Sequence, residues 1–336
     1  MEKKNISKGN NYSNNSNNNQ NISLQTNQNQ NQDSSIFPSL TSLWDDFVGV
    51  FKQNDNNNHI KNNNNDQYCK CTKIKSKDYC DSIYEIIQMT KNNIINKKSK
   101  ELYENLLKVH DKALDINGEN LRQIKKDLNR TYPSTTLFKK ERILNKLKNV
   151  LRAFSNYDNT IKYFQGMNFI VGFFLYHCEE YVAFWLFVSL IEEYDLRSLF
   201  MADFPGLKLH VHRVESILQN EYPKIWDTFN KIGVKVEIFM VEWLFSLFSS
   251  LIPLELQIDF YRGFFLNRWM FFYKMAISSI LNLKGDFIEA DEIYIGLKCG
   301  KNEDNVKEEV IKNTWKKIIQ KAYALEIKTD VMSITN

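Results

Sequence analysis

The chain has 336 residues, which is enough for one large domain with a tail or for two domains. Apolar residues make up 43% of it and aromatic residues 13%, so the sequence can build a substantial core. The formal net charge is only +4, from 44 basic and 40 acidic residues. This balance argues against nucleic acid as a partner, because that role favours a concentrated basic face.

Residues 1–66 are dominated by Asn, Ser and Gln, and they predict a disordered tail. Such polar segments cannot bury enough apolar surface to offset the entropy of ordering. Within the tail, residues 39–51 place apolar side chains on one helical face. This pattern predicts a short amphipathic helix that docks on the folded domain or on a partner. The N-terminus has no apolar run, so it does not predict a secretory signal.

Five cysteines form no obvious disulfide framework, and their odd number predicts the reduced thiols of a cytosolic protein. Cys69, Cys71 and Cys80 lie close together in the sequence but lack the paired CxxC spacing of structural zinc sites. Free thiols are therefore favoured over a metal site. The longest apolar stretch, 238–253, is shorter than the ~20 residues that span a bilayer, and it carries Glu242, so it predicts a buried helix.

Helical periodicity begins near residue 70. Apolar spacings of three and four predict helices at 82–89, 99–114, 140–154, 180–194, 209–229 and 305–325. Two further segments, 238–252 and 254–282, are apolar on more than one side and are expected at the centre of the domain. Alternating strands and fixed-period repeats are not found. The predicted fold is all-α, one large multi-helix domain over about 70–330 that follows the disordered tail.

Common phosphate and metal motifs are not found in the sequence. The eleven glycines form neither GxxxxGK[ST] nor GxGxxG, so no phosphate cradle is predicted. HExxH is also missing, and a helix would direct His210 and His212 to different faces, which is poor geometry for a metal. His177, followed by Cys178, ends an apolar helix and is expected to serve packing or capping.

The stretch IKKDLNRTYPSTTLF, 124–138, places Asp127 and Arg130 three residues apart. A helix brings two such side chains to the same face. Pro133 ends that helix, so Arg130 is expected at a helix terminus with a carboxylate able to orient it. A preorganised guanidinium suits phosphoryl transfer. The alternative is a solvated basic face, because four lysines lie nearby.

The stretch YFQGM, 163–167, interrupts a long apolar run. Gln165 is expected to open a helix, and Gly166 would let another backbone or a ligand approach closely. A glutamine amide both donates and accepts hydrogen bonds, so it can hold a water in line with a phosphate. The alternative is a helix-capping glutamine beside a packing glycine.

Together, IxxDxxRT…P and YxQGMN resemble the two signature motifs of the TBC domain, which is found in Rab GTPase-activating proteins. The matching residues are Ile124, Asp127, Arg130, Thr131 and Pro133 in the first motif, and Tyr163, Gln165, Gly166, Met167 and Asn168 in the second. The segments 180–218 and 241–255 are similar to later blocks of the same family. The resemblance covers roughly 75–325.

The resemblance implies a GTPase-activating protein that accelerates GTP hydrolysis by a Rab-type small GTPase. In that assignment Gln165 positions the attacking water, and Arg130 neutralises charge that develops at the leaving oxygen. Asp127 would hold Arg130, and Gly166 would clear space for a loop of the partner. The supporting residues are Thr131, Tyr163, Met167 and Asn168.

The resemblance also implies that GTP and magnesium come with the partner GTPase, so the chain is expected to have no cofactor and no metal of its own. Its expected place is the cytoplasm, with recruitment to endomembranes through partners. Vesicle trafficking, a form of intracellular protein transport, is the expected process.

Two departures from the family pattern bear on function. Tyr261-Arg262 stands where the family usually has Trp-Asp, so the packing or an internal ion pair must differ there. The N-terminal family motif is also eroded, at 74–87. A catalytically weak or inactive TBC scaffold that binds a GTPase or another partner is therefore an alternative, although Arg130 and Gln165 are both kept. A helical interaction module unrelated to GTPases is a third possibility, disfavoured by the ordered pair of motifs.

Overall fold

The structure is a computed structural model, and it describes residues 85–87, 97–109, 118–283, 296–297 and 308–335. The predicted tail over 1–66 and the predicted helix at 39–51 lie outside these residues, as do all the cysteines except Cys178, which is buried.

The described part of the chain is helical and contains no β-strand, as the periodicity predicted. Its α-helices are α1 Lys97–Lys108, α2 Glu119–Leu128, α3 Glu141–Tyr157, α4 Met167–His177, α5 Glu180–Glu193, α6 Arg197–Phe200, α7 Pro205–Glu221, α8 Pro223–Ile232, α9 Val236–Ser246, α10 Gln257–Ile280 and α11 Glu308–Ala324. Short 3-10 helices lie at Thr136–Lys139 and Leu254–Leu256.

The centre of the fold is formed by helices that are apolar on several sides. Helices α3, α4 and α5 pack against one another, and α4 also contacts α2 and α9. Nine of the eleven residues of α4 are buried, because a helix without a polar face has no favourable position except between other helices. Farther along the chain, α10 packs against α11. Since α2 carries the first signature motif and rests on α4, which begins within the second, the two motifs are packed against each other.

Three of the predicted helices are wrong in extent. The segment 209–229 forms two helices, because Pro223 has no amide hydrogen to continue α7 and instead starts α8. The segment 238–252 stops being helical after Ser246, where Leu247 and Phe248 take positive φ values of 45° and 59°. The ring of Phe248 then stacks on Trp243 with centroids 4.9 Å apart, so aromatic packing holds the turn.

The segment 254–282 was predicted as one helix, but it consists of a 3-10 turn and α10, with a break at Arg268. Arg268 has φ 52° and ψ −140°. Its Nη1 donates to the carbonyl of Glu193 at 2.5 Å, and its guanidinium lies 4.6 Å from the ring centroid of Tyr194. The break therefore directs a cation to the C-terminus of α5, where helix carbonyls need donors.

Candidate functional site

A groove of about 1340 Å³ runs across one face of the described helices. One side is formed by the first half of α2 and by the turns 130–135 and 162–166, and the other side by α9 and residues 249–255. Its apolar wall includes Ile238 and Val241 of α9, which are 56% and 36% exposed. A groove of this size with an exposed apolar wall suits a protein surface better than a small ligand.

The first motif forms the end of α2 and the turn that follows it. The helix ends at Leu128, and the amide of Thr131 donates to the Leu128 carbonyl at 3.2 Å. The i,i+3 ion pair predicted between Asp127 and Arg130 is present. Asp127 is fully buried, whereas the side chain of Arg130 is 47% exposed, so a buried anion holds a cation whose tip reaches the groove.

The second motif forms the turn into α4. Gln165 is exposed two positions before the helix, and Gly166 is the N-cap with φ 119°, a conformation that L-residues with side chains rarely adopt. A Cβ at Gly166 would lie 2.4 Å from the carbonyl oxygen of Phe245. The backbone of α9 in the same chain thus makes the close approach that was expected at Gly166, while room for a partner's loop stays a prediction.

A closed set of buried hydrogen bonds joins the two motifs. The hydroxyl of Tyr163 donates to Oδ2 of Asp127 at 2.7 Å, and Nδ2 of Asn168 donates to the hydroxyl of Thr131 at 2.8 Å. Oδ1 of Asn168 accepts from the amide of Gly166 at 3.0 Å, and the hydroxyl of Thr131 donates to the Asp127 carbonyl at 2.8 Å. Such satisfied networks hold their members in one arrangement. We call Asp127, Thr131, Tyr163 and Asn168 the site cluster.

Burial affects the electrostatics of the site cluster. It raises the pKa of the Tyr163 hydroxyl far above its ordinary value, and the hydrogen bond to the Asp127 carboxylate raises it further. The phenol therefore stays protonated and acts as a donor. It holds one oxygen of the carboxylate while Arg130 takes the other.

The tips of the two predicted catalytic side chains meet at the groove. Nη2 of Arg130 donates to Oε1 of Gln165 at 2.9 Å, across 35 positions of sequence. Both side chains are exposed and line the groove. Met167, another predicted site residue, is instead fully buried, and its sulfur accepts from the amide of Phe164 at 3.4 Å. It supports the Gln165 turn from inside.

Sequence reasoning missed two residues that anchor this site. Tyr132 had no assigned role, yet its buried hydroxyl donates to Oε1 of Gln257 at 2.9 Å. Gln257 is itself fully buried and had no assigned role. An unexplained glutamine in an apolar helix was the signal available, because a buried amide needs hydrogen-bond partners.

The departure at Tyr261-Arg262 lies away from the Arg130 and Gln165 tips. Tyr261 is buried and stacks on Phe173 with centroids 4.1 Å apart. The exposed Arg262 forms an ion pair with Glu85 at 2.9 Å. Neither residue lines the groove.

The helical arrangement is that of a known fold. The crystal structure of the Chlamydomonas flagellar RabGAP TBC domain superposes with a TM-score of 0.56, at 15% sequence identity, covering 84% of this chain and 91% of that one. The sequence profile of the Rab-GTPase-TBC domain matches residues 41–288. The chain belongs to this family.

Curated relatives carry the same kind of domain in longer proteins. The Rab GTPase-activating protein eat-17 of Caenorhabditis elegans is 31% identical over 169 residues, which is 50% of this chain and 19% of that protein. The GTPase-activating protein GYP5 of Eremothecium gossypii is 28% identical over 244 residues, 72% of this chain and 27% of that protein. The chain thus spans about a fifth to a quarter of these relatives. In its described part, no helix is long and apolar enough to cross a membrane.

Proposed function

We propose that this chain is a GTPase-activating protein that accelerates GTP hydrolysis by a Rab-type small GTPase. The observation that carries the proposal is the 2.9 Å hydrogen bond between Arg130 and Gln165 at the groove. Arg130 is suited to neutralise developing charge, and Gln165 is suited to hold a water. The buried site cluster holds both exposed side chains at the groove. The names of the relatives agree with this activity.

In the proposed mechanism, the partner brings GTP and its magnesium, and a water attacks the γ-phosphorus while the bond to the β–γ bridging oxygen breaks. GDP and phosphate are the products. Gln165 holds the attacking water through its amide, which can both donate and accept. Arg130 donates to the phosphate oxygens as negative charge moves to the leaving oxygen. Both side chains must exchange their mutual hydrogen bond for bonds to the substrate.

The tips of Arg130 and Gln165 are positioned by the site cluster, which consists of Asp127, Thr131, Tyr163 and Asn168. The Asp127 carboxylate keeps Arg130 from turning into solvent, and Asn168 holds the turn that carries Gln165. Preorganisation of this kind lowers the reorganisation needed when the transition state forms. The exposed apolar wall of Ile238 and Val241 is the proposed contact for the partner.

Rab substrates are anchored to membranes by lipids, so the chain is proposed to act in the cytoplasm at endomembrane surfaces. Its recruitment would depend on partners. The process served is vesicle trafficking.

The test is phosphate release from a panel of GTP-loaded Rab proteins, with binding to each one measured in parallel. Arg130→Ala and Gln165→Ala should each lose most of the acceleration, because an arginine supplied to a GTPase contributes about 10³–10⁵ in rate. That loss corresponds to roughly 4–7 kcal/mol of barrier. Arg142→Ala is the matched control, since Arg142 is an exposed arginine that does not line the groove.

The outcomes separate the alternatives. Stimulation that depends on Arg130 and Gln165 supports the proposal. Binding without stimulation identifies a scaffold instead. Stimulation that survives both substitutions would show that other residues perform the chemistry.

A further inference from the structure

We infer that Tyr132 is a positioning residue for Arg130, and that it ties the arginine turn both to the helix that follows Gln165 and to the opposite wall of the groove. This inference rests on the proposed function. Tyr132 lies two positions after Arg130 and is only 8% exposed. Its φ of 46° is unusual for a bulky residue, and such strain persists only where surrounding contacts enforce it.

The ring of Tyr132 packs against α4 at a position where the helix has a glycine, Gly172. It lies edge-on to Phe169 with centroids 5.4 Å apart, and tilted against Phe138 at 5.2 Å. A Cβ at Gly172 would lie 2.9 Å from Cε2 of this ring, so the glycine leaves the room that the ring occupies. Because α4 begins directly after Gln165 and Gly166, the ring fixes the arginine turn relative to the glutamine turn.

The hydroxyl of Tyr132 makes a second connection. Its single proton is shared between the carbonyl of Phe169 at 2.8 Å and Oε1 of Gln257 at 2.9 Å. Burial raises the pKa of this phenol well above its ordinary value, so the hydroxyl stays a donor. Nε2 of Gln257 in turn donates to the carbonyls of Ser249 and Ile252 at 2.9 and 2.8 Å.

These contacts form one path from Arg130 to the far wall, since Ser249 and Ile252 both line the groove. Arg130 is half-exposed, so packing around its own side chain cannot set its direction. The Asp127 carboxylate supplies the charge that attracts it, and Tyr132 holds the backbone from which it extends. Loss of the Tyr132 hydroxyl should therefore loosen Arg130 without removing any group that touches the nucleotide.

The experiment compares Tyr132→Phe with Tyr273→Phe in the full chain. Both tyrosines are buried, and both hydroxyls make two buried hydrogen bonds, those of Tyr273 being with His210 Nδ1 at 2.7 Å and Arg213 Nη1 at 3.1 Å. Tyr273 does not line the groove. The readouts are kcat and KM for the GTP-loaded partner, and the melting temperature of each variant.

We expect Tyr132→Phe to lower kcat about tenfold with KM changed less than about twofold, because a loosened Arg130 weakens the transition state more than partner binding. Tyr273→Phe should lower the melting temperature similarly and leave kcat unchanged. Gln257→Met should resemble Tyr132→Phe. The double variant should lose no more than the stronger single one, since both remove the same connection.

Two kinds of failure can be told apart. If the wild-type chain stimulates no GTPase, the proposed function fails and the inference falls with it. If the wild type is active and Arg130→Ala is not, but Tyr132→Phe keeps the wild-type kcat, only the inference is overturned. Equal loss of kcat in Tyr273→Phe would also overturn it, because general loosening of the fold would then explain the effect.

Discussion

Among the described residues, two buried polar clusters that each hold an arginine differ in where the guanidinium ends. In the site cluster, the groups that hold Arg130 are buried while Arg130 itself is 47% exposed. In a second cluster, which we call the sealed cluster and which consists of His210, Arg213 and Tyr273, the guanidinium of Arg213 is buried as well. Its Nε and Nη2 donate to the carbonyl of Ile334 at 3.2 and 2.8 Å.

The two arginines make similar contacts, but Arg213 serves the structure whereas Arg130 is available for function. The guanidinium of Arg213 donates its hydrogen bonds inside the protein, and these bonds attach the segment after α11 to α7. The contacts described for Arg130 both use Nη2, toward Asp127 and Gln165. We therefore expect substitutions in the site cluster to cost activity first, and substitutions in the sealed cluster to cost stability first.

Among the substitutions at or next to the site cluster, Gly166→Ala should have the largest effect. The methyl group would meet the Phe245 carbonyl at 2.4 Å, and the backbone would be strained at φ 119°. We expect a loss of about 3 kcal/mol in the free energy of unfolding, together with loss of stimulation as the Gln165 turn shifts. Denaturant titration and phosphate release measure the two effects.

Gly233→Ala is the control for Gly166→Ala, because Gly233 also has a positive φ, 76°, but no neighbouring atom within 4 Å of its Cβ position. It should cost only about 1–2 kcal/mol and leave activity intact. Equal effects of the two substitutions would mean that contact with α9 does not matter.

Asp127→Asn should follow, with a roughly 10–100-fold fall in stimulation, equivalent to ~1.4–2.8 kcal/mol of barrier. The amide keeps the shape of the carboxylate but not the charge that attracts Arg130. Asp158→Asn is the matched control, since Asp158 is equally buried and pairs with Arg197 at 2.6 Å outside the groove. Measured under saturating partner, the control should keep its kcat. A similar fall in both would mean that the charge of Asp127 has no special part in stimulation.

Arg213→Met tests the sealed cluster. It leaves the Ile334 carbonyl and the Tyr273 hydroxyl without their donor, so unfolding should become easier by about 2 kcal/mol. Stimulation measured at a temperature well below the melting transition should match the wild type. A large drop in kcat with the fold intact would show that this cluster also reaches the site.

His210 should give the smallest effect at neutral pH, because its contribution is a dependence of stability on acid. Burial, together with the nearby positive charge of Arg213, lowers its pKa to about 3. Between that value and the ordinary value of about 6.5, the unfolded chain binds one proton more than the folded chain. Stability should therefore fall as the pH drops below about 6.5, by at most ~1.4 kcal/mol per pH unit from this residue.

His210→Leu should flatten that slope while the slope above pH 7 stays as in the wild type. The measurement is the free energy of unfolding from urea titrations between pH 4.5 and 8. An unchanged acid slope would assign the effect to other groups.

Particular segments show which features of the fold could be predicted. The helices over 141–157 and 180–193 follow their apolar spacing closely. The turn at Leu247 and Phe248 was not predictable, because neither residue favours positive φ, and the stacking of Phe248 on Trp243 that helps to hold it appears only in the fold. The break at Arg268 could not be predicted either, because Arg268 contacts Glu193 and Tyr194, which are 75 and 74 positions away in the sequence.

The candidate site also has some features that the sequence predicts and others that it does not. The ion pair of Asp127 with Arg130 depends on spacing within one helix turn, and a linear pattern reveals it. The neighbour that Gly166 accommodates is Phe245, 79 positions away, and nothing local to the glycine identifies it. The hydrogen bond from Tyr132 to Gln257 spans 125 positions, so neither residue could be assigned a role in advance.

By itself, the sequence determined that the chain is helical, that its two motifs belong to the TBC family, and that Arg130 has a carboxylate beside it. The helices and the neighbouring carboxylate follow from periodicity and from spacings shorter than two helical turns, and the family follows from the resemblance of the two motifs to its signatures. The tertiary structure decided that Arg130 and Gln165 touch, that α9 fills the space beside Gly166, and that Tyr132 joins the arginine turn to the opposite wall. The physical reason is that packing brings together groups far apart in the chain, whose partners leave no mark on the residues next to them.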